Sequence, residues 1–84
     1  MKFITGKYKG EFYIILETDM YNGNERTAEY LNIPYGDFIE ILEKHGAHKM
    51  ARVDGYLFFK TKYQLNKAIE ELEPYLIMAN LTEE

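Results

Sequence analysis

The chain of 84 residues has no cysteine and no tryptophan, two prolines and six glycines. Without cysteine there can be no disulfide and no thiolate zinc site, so a domain this short must be held by packing alone. No apolar run approaches the ~20 residues that a membrane span needs, and no signal-peptide core follows the first residues. These features predict a cytoplasmic protein with no membrane contact. An excess of one charge is also missing: ten Lys and Arg face fourteen Asp and Glu, a net charge of −4. Residues 1–60 are nearly balanced, and residues 61–84 carry most of the net negative charge. That is not the footprint of a strong nonspecific nucleic-acid binder, although it leaves room for a local basic patch.

Motifs for catalysis are equally scarce. There is no phosphate-cradling loop, nucleophile elbow or dinucleotide fingerprint, and the glycines stand singly. His45 and His48 are three apart, but no third ligand accompanies them, so they read as helix-end histidines and no metal or cofactor is expected. Asp37 and Glu40 have the spacing of a pair on one helical turn, which usually forms a solvated face. The sequence therefore predicts a binding protein, not an enzyme.

What the chain does have is apolar and aromatic material. Hydrophobic residues make up 46% and aromatics 15%, with eight Tyr and five Phe. Aromatics bring large buried area, and Tyr adds a polar tip suited to an interface. Residues 1–19 predict an N-terminal β-hairpin. Lys2–Tyr8 alternates loosely, Lys9-Gly10 supplies the turn, and Glu11–Glu17 reads EFYIILE. Five consecutive apolar residues, Phe12–Leu16, suggest a strand covered on both faces. Asp19–Asn24 (DMYNGN) reads as a loop.

Two helices are expected within residues 24–46. In the first, Asn22 can cap with Glu25 three residues on, and Ala28 and Leu31 share a face. Asn32-Ile33-Pro34 ends it, because Asn tolerates the left-handed conformation at a helix end. In the second, from about Pro34 to His45, Tyr35, Phe38, Ile39 and Leu42 form an apolar stripe, and Gly46 is placed to close it. A second hairpin is expected over residues 47–60, with strands Lys49–Val53 and Tyr56–Lys60 around Asp54-Gly55, a strong turn signal. The last helix is expected over residues 61–78. Thr61 and Gln64 have capping-box spacing, Leu65, Ala68, Ile69 and Leu72 form the apolar face, and Pro74 ends or kinks the helix. The segment Tyr75–Leu81 reads as a short apolar tail, taken as core or as a dimer seam.

The order ββ-α-α-ββ-α makes one α+β domain over residues 1–84. A faint echo between Gly10–Ile15 and Gly55–Phe59 leaves an alternative: a duplicated ββα unit around a four-stranded antiparallel sheet.

Residues 26–72 also resemble the winged helix-turn-helix of the excisionase and MerR-like group. Thr27-Ala28-Glu29-Tyr30-Leu31 is similar to that family's first helix, Asn32 stands at its turn, and Phe38, Ile39 and Leu42 stand at apolar positions of its recognition helix. Gly46 resembles the closing glycine, and Arg52-Val53-Asp54-Gly55-Tyr56-Leu57-Phe58 resembles the wing. The N-terminal hairpin is extra to the pattern. The resemblance implies a small regulator that binds duplex DNA with its second helix in the major groove and its wing on the backbone. Tyr35, Lys44, His48, Lys49, Arg52, Lys60 and Lys62 would be the DNA contacts, aided by a homodimer. Lys2, Lys7 and Lys9 would join them if the first hairpin packs nearby.

The second helix departs from this pattern. It opens Pro34-Tyr35-Gly36-Asp37 and continues through Glu40 and Glu43, whereas recognition helices lead with hydroxyl and basic residues. Carboxylates are repelled by phosphates. This supports a second expectation: a small acidic phage-type inhibitor that docks on a nucleic-acid-handling host protein through Asp37, Glu40, Glu43, Glu70, Glu71 and Glu73.

Overall fold

The computed structural model describes residues 1–17 and 23–82. Two antiparallel strands, β1 (Phe3–Tyr8) and β2 (Glu11–Leu16), precede three helices, α1 (Gly23–Leu31), α2 (Tyr35–Lys44) and α3 (Lys62–Thr82). The architecture is α+β. The expected loop Asp19–Asn24 and the Asn22 cap fall largely outside the described residues.

The first hairpin forms as its sequence dictates. Lys9 and Gly10 both take positive φ, 49° and 80°, as the two central residues of a type I′ turn must. Tyr8 then faces Glu11, Gly6 faces Tyr13 and Phe3 faces Leu16. Gly6 lets the ring of its partner lie over the strand: a Cβ there would lie 2.2 Å from Cζ of Tyr13, and the ring would have to move. Ile14, Ile15 and Leu16 are all buried, so this end of β2 is covered on both faces.

Both short helices end in the left-handed closure expected of them. At α1, Asn32 has φ 59°; its N–H donates to the Glu29 carbonyl (3.1 Å), and the Ile33 N–H donates to the Ala28 carbonyl (3.0 Å). At α2, Gly46 has φ 97°; its N–H donates to the Glu43 carbonyl (2.9 Å), and the Ala47 N–H donates to the Leu42 carbonyl (3.0 Å). These paired bonds are Schellman motifs, which occupy carbonyls a helix end would otherwise leave bare. Pro34 lies one position ahead of the first α2 residue, as its cap.

The region after α2 differs from expectation. No second hairpin forms over residues 47–60, and neither does a regular four-stranded sheet: the residues there make two isolated bridges, His48 with Phe58 and Phe12 with Phe59. The chain reverses at Met50–Val53, where the Val53 N–H donates to the Met50 carbonyl (3.2 Å) and Arg52 takes φ 66°. Asp54-Gly55 is not that turn. The Gly55 carbonyl instead accepts from the backbone N–H of Asn24 (2.7 Å) at the start of α1. There, N–H groups have no partner within the helix and demand one from outside. The contact is close because Gly23 has no side chain: a Cβ there, where φ is +72°, would lie 2.7 Å from the Gly55 oxygen. Asn24 itself is buried, and its amide atoms have no hydrogen-bond partner among the described residues.

The last helix also corrects the expectation. Pro74 lies inside α3, and the helix continues through it to Thr82. A proline removes one N–H from the ladder, and its ring crowds the preceding turn. Packing on both sides of it prevails: Leu65, Ala68, Leu72 and Leu76 are all buried along one stripe. The far end is pinned at Asn80, whose amide donates to the Met1 carbonyl (2.9 Å) and accepts from the Tyr30 hydroxyl (2.9 Å). The near end is capped by Thr61, whose Oγ1 accepts from the Gln64 N–H (3.2 Å). The supposed tail Tyr75–Leu81 is therefore helical; Leu76 joins the core, whereas Tyr75, Ile77, Met78 and Leu81 are exposed.

One core joins these elements. Ile14 and Leu16 from β2, Ala28 and Leu31 from α1, Phe38 and Leu42 from α2, Phe59, and the α3 stripe form a single cluster. Ile15 and Phe58, though buried, lie outside it. Beside Phe58, the rings of Tyr13 and Tyr8 stand at 5.3 and 6.1 Å, and Tyr13 meets Tyr56 at 4.7 Å. The first hairpin thus packs directly against residues 56–59.

Candidate functional site

Helix α2 has a periodicity that buries Phe38 and Leu42 and leaves the opposite side to solvent. Tyr35, Gly36, Asp37, Glu40, Glu43 and Lys44 are exposed there. The outward face of the would-be recognition helix is consequently acidic, with Tyr35 at its leading end.

Two depressions flank this face. On the α3 side lies an open groove of about 720 Å³, lined by Asp37, Glu40, Ile41, Glu43, Lys44, Glu71 and Tyr75. On the other side, between α2 and the loop after it, lies a smaller pocket of about 240 Å³. Its walls include Tyr35, Ile39, Val53, Tyr56 and Leu57, and its polar groups include Glu43, Lys49 and Asp54. Glu43 borders both, so α2 forms a ridge between an acidic trough and a notch with apolar and charged walls.

A charge cluster ties the groove together. Lys44 at the end of α2 approaches Glu71 of α3 at 2.7 Å, and Nε2 of His45 lies 2.9 Å from the same carboxylate. The Lys44 ammonium, first, and the His45 hydrogen bond, second, hold Glu71 below the usual carboxylate range. Sequence reasoning had placed Lys44 in the basic set and Glu71 in the acidic one; in the structure they satisfy each other. His48 is likewise engaged: its Nε2 meets Oε1 of Glu11 at 2.5 Å, across the junction between β2 and the Phe58 segment. Burial pushes the Tyr56 phenol up, the backbone of Gly23 hydrogen-bonded to it draws it back in part, and Tyr13 adds to the rise.

The remaining candidates are spread over the surface. Lys49 and Arg52 are exposed on the loop after α2, and Lys60 and Lys62 flank the cap of α3. Glu70 and Glu73 are exposed on α3, Glu70 lying 3.8 Å from Lys67. Lys7 and Lys9 lie over the rings of Phe12 and Tyr8. The apolar walls of the notch, Ile39, Val53 and Leu57, and the partner of His48, Glu11, were not among the sequence candidates. Ile39 belonged to the expected apolar stripe of α2, but nothing local signals that it looks toward Val53. Among the described residues, no group of three or more His, Asp or Glu is placed to hold a metal ion, and no helix is long and apolar enough to cross a membrane.

Comparison of the chain with protein-family models, curated proteins and solved structures returned no match, so the geometry of α2 and its two flanks is the ground for a functional reading.

Proposed function

We propose that this chain is a small protein-binding module that captures a Lys- and Arg-rich partner segment across α2. The observation that carries the reading is the ridge itself: Asp37, Glu40 and Glu43 exposed along one helix, with the acidic trough on one side and, on the other, a notch where Ile39, Val53 and Leu57 meet charged groups. Interfaces draw most of their energy from a few anchors seated in pockets, while charge sets orientation and encounter rate. Here the notch suits a single apolar or aromatic anchor, and the trough suits cationic side chains beside it. A protein surface that handles nucleic acid has this chemistry, which fits an inhibitor that occupies such a surface.

The test uses a fluorescent peptide of alternating Lys and Arg with one central Leu, read by anisotropy. Binding at low ionic strength that falls more than tenfold when Asp37, Glu40 and Glu43 are all changed to Lys supports the reading. Equal binding by the reversed variant removes it.

A second reading, a winged helix-turn-helix DNA-binding protein, is favoured by the order α1, tight turn, α2, His48–Phe58 bridge, α3, with Lys49 and Arg52 exposed on the loop between. Two of its expected contacts, Lys44 and His48, already carry carboxylate partners. Phosphate contacts make log affinity fall linearly with log salt. Duplex binding with such a slope, weakened by Lys49→Ala with Arg52→Ala, supports DNA; no duplex binding at low salt removes it.

A further inference from the structure

The notch between α2 and the loop after it has walls of two kinds. Ile39, Val53 and Leu57 supply apolar surface, Tyr35 and Tyr56 supply rings, and Glu43 and Asp54 bring carboxylates. Its volume of about 240 Å³ falls below the roughly 300–1,000 Å³ of cofactor and drug sites, and suits a single side chain. Among the described residues, neither Glu43 nor Asp54 has a basic group within ion-pair distance, although Lys49 also lines the notch. The wall that carries Asp54 is fixed from both sides. The Val53 N–H donates to the Met50 carbonyl (3.2 Å), the Gly55 carbonyl accepts from the Asn24 N–H (2.7 Å), and the Tyr56 hydroxyl is bonded to the Gly23 backbone. A site held in place before binding loses little entropy when it is filled.

Whatever fills this notch takes water away from both acids. A purely apolar occupant leaves two charges without hydrogen bonds, which offsets the gain from its own burial. A lysine ammonium is a compact, strongly hydrated point charge. A guanidinium is planar and weakly hydrated, stacks on aromatic faces, and offers five donors in a fixed fork. Its carbon stem covers apolar surface while the head stays with polar groups. We propose that the notch is an arginine pocket, with the partner's guanidinium held between Glu43 and Asp54 and its stem along Ile39, Val53 and Leu57. This rests on the reading of α2 as the ridge that captures a basic segment, and it names the side chain that anchors the segment. Lys49 opposes the incoming charge, so the pocket discriminates by what it offers a guanidinium and not by net attraction alone.

The test uses fluorescent lysine peptides that carry one guest at the centre, either Arg, Lys, citrulline or Leu, read by anisotropy at low ionic strength. Citrulline keeps the shape of arginine and lacks its charge. The Arg guest is expected to bind about fivefold or more tightly than any other, as charge-assisted hydrogen bonds warrant. Asp54→Asn, at an exposed position that borders the notch and not the trough, is expected to remove that margin and leave the Leu-guest peptide unchanged. Lys49→Met is expected to widen the margin. Equal affinity for all four guests overturns the pocket and leaves the ridge standing, and a Leu guest that binds tightest overturns it in favour of a plain apolar anchor. A margin that survives Asp54→Asn, or shrinks with Lys49→Met, places the arginine elsewhere and overturns it too. Absence of binding by every peptide removes the ridge and the pocket together.

Discussion

Two stretches of this chain carry similar hairpin chemistry and reach different ends. Around Lys9-Gly10 the chain builds a ladder of six paired positions. Around Asp54-Gly55, a better turn by composition, it builds two single bridges and turns elsewhere. The difference lies in what else competes for the backbone. The backbone around Lys9-Gly10 is free to complete its ladder, and Phe12 pairs with Phe59 in addition to Lys7. The Gly55 carbonyl is taken by α1, whose first N–H groups need an acceptor, while Phe58 and Phe59 are shared between His48 and Phe12. A turn dipeptide states a preference of a few tenths to one kcal/mol, and an unsatisfied buried backbone group costs about as much or more. Where the two conflict, the helix end prevails.

The largest perturbation is expected where the second stretch joins the first. Phe59 is fully buried and its backbone pairs with Phe12. Phe59→Ala should cost about 3–5 kcal/mol, a large part of the stability of a domain this size, measured by urea unfolding. If it costs under about 1 kcal/mol, the two stretches do not form one core. Next comes the clasp between α1 and Gly55. Gly23→Ala meets both a left-handed backbone and an oxygen at 2.7 Å, so a loss of about 2–3 kcal/mol is expected.

Away from both stretches, Glu71 offers a control. Its folded pKa is depressed by Lys44 and His45, so its contribution is present above the ordinary carboxylate pKa and is lost as pH falls through the folded value. The pair is largely solvated, which limits the effect to about 1 kcal/mol or less. Glu71→Gln should lower the unfolding midpoint at neutral pH and lose that difference as acidification protonates the carboxylate; a constant difference across pH would discount the charge cluster. The smallest effect separates the two turns directly. Lys9→Asn creates Asn-Gly in a real type I′ turn and should stabilise by about 0.3–0.5 kcal/mol. Asp54→Asn creates the same dipeptide where no such turn exists and should gain nothing. Equal gains would show that the second hairpin does form.

What the sequence revealed were features decided within one turn of chain. Asn32 and Gly46 ended their helices, Lys9-Gly10 closed its hairpin, Thr61 capped α3, and Phe38 and Leu42 of the expected α2 stripe faced the core, whereas Tyr35 stayed exposed. What stayed hidden depended on distant partners. Pro74 reads locally as a stop, yet Leu72, Leu76 and Asn80 hold the helix through it. Lys44 and Glu71 read as members of opposing patches, and only the crossing of α2 with α3 makes them a pair. The acidic side of α2 was visible from spacing; the notch beside it was not, because Val53 and Leu57 reach it through an irregular loop.

The Tyr13 ring seated on Gly6 also has a bearing on misfolding. A two-stranded ribbon can slide by two residues and keep the same side chains outward, so hydrophobic alternation alone does not forbid that error. Here such a slide would bring Ile4 or Tyr8 opposite Tyr13, and the ring would have to leave the place it occupies over Gly6. The glycine and the ring thus favour the native alignment of the ribbon over its neighbours two residues away.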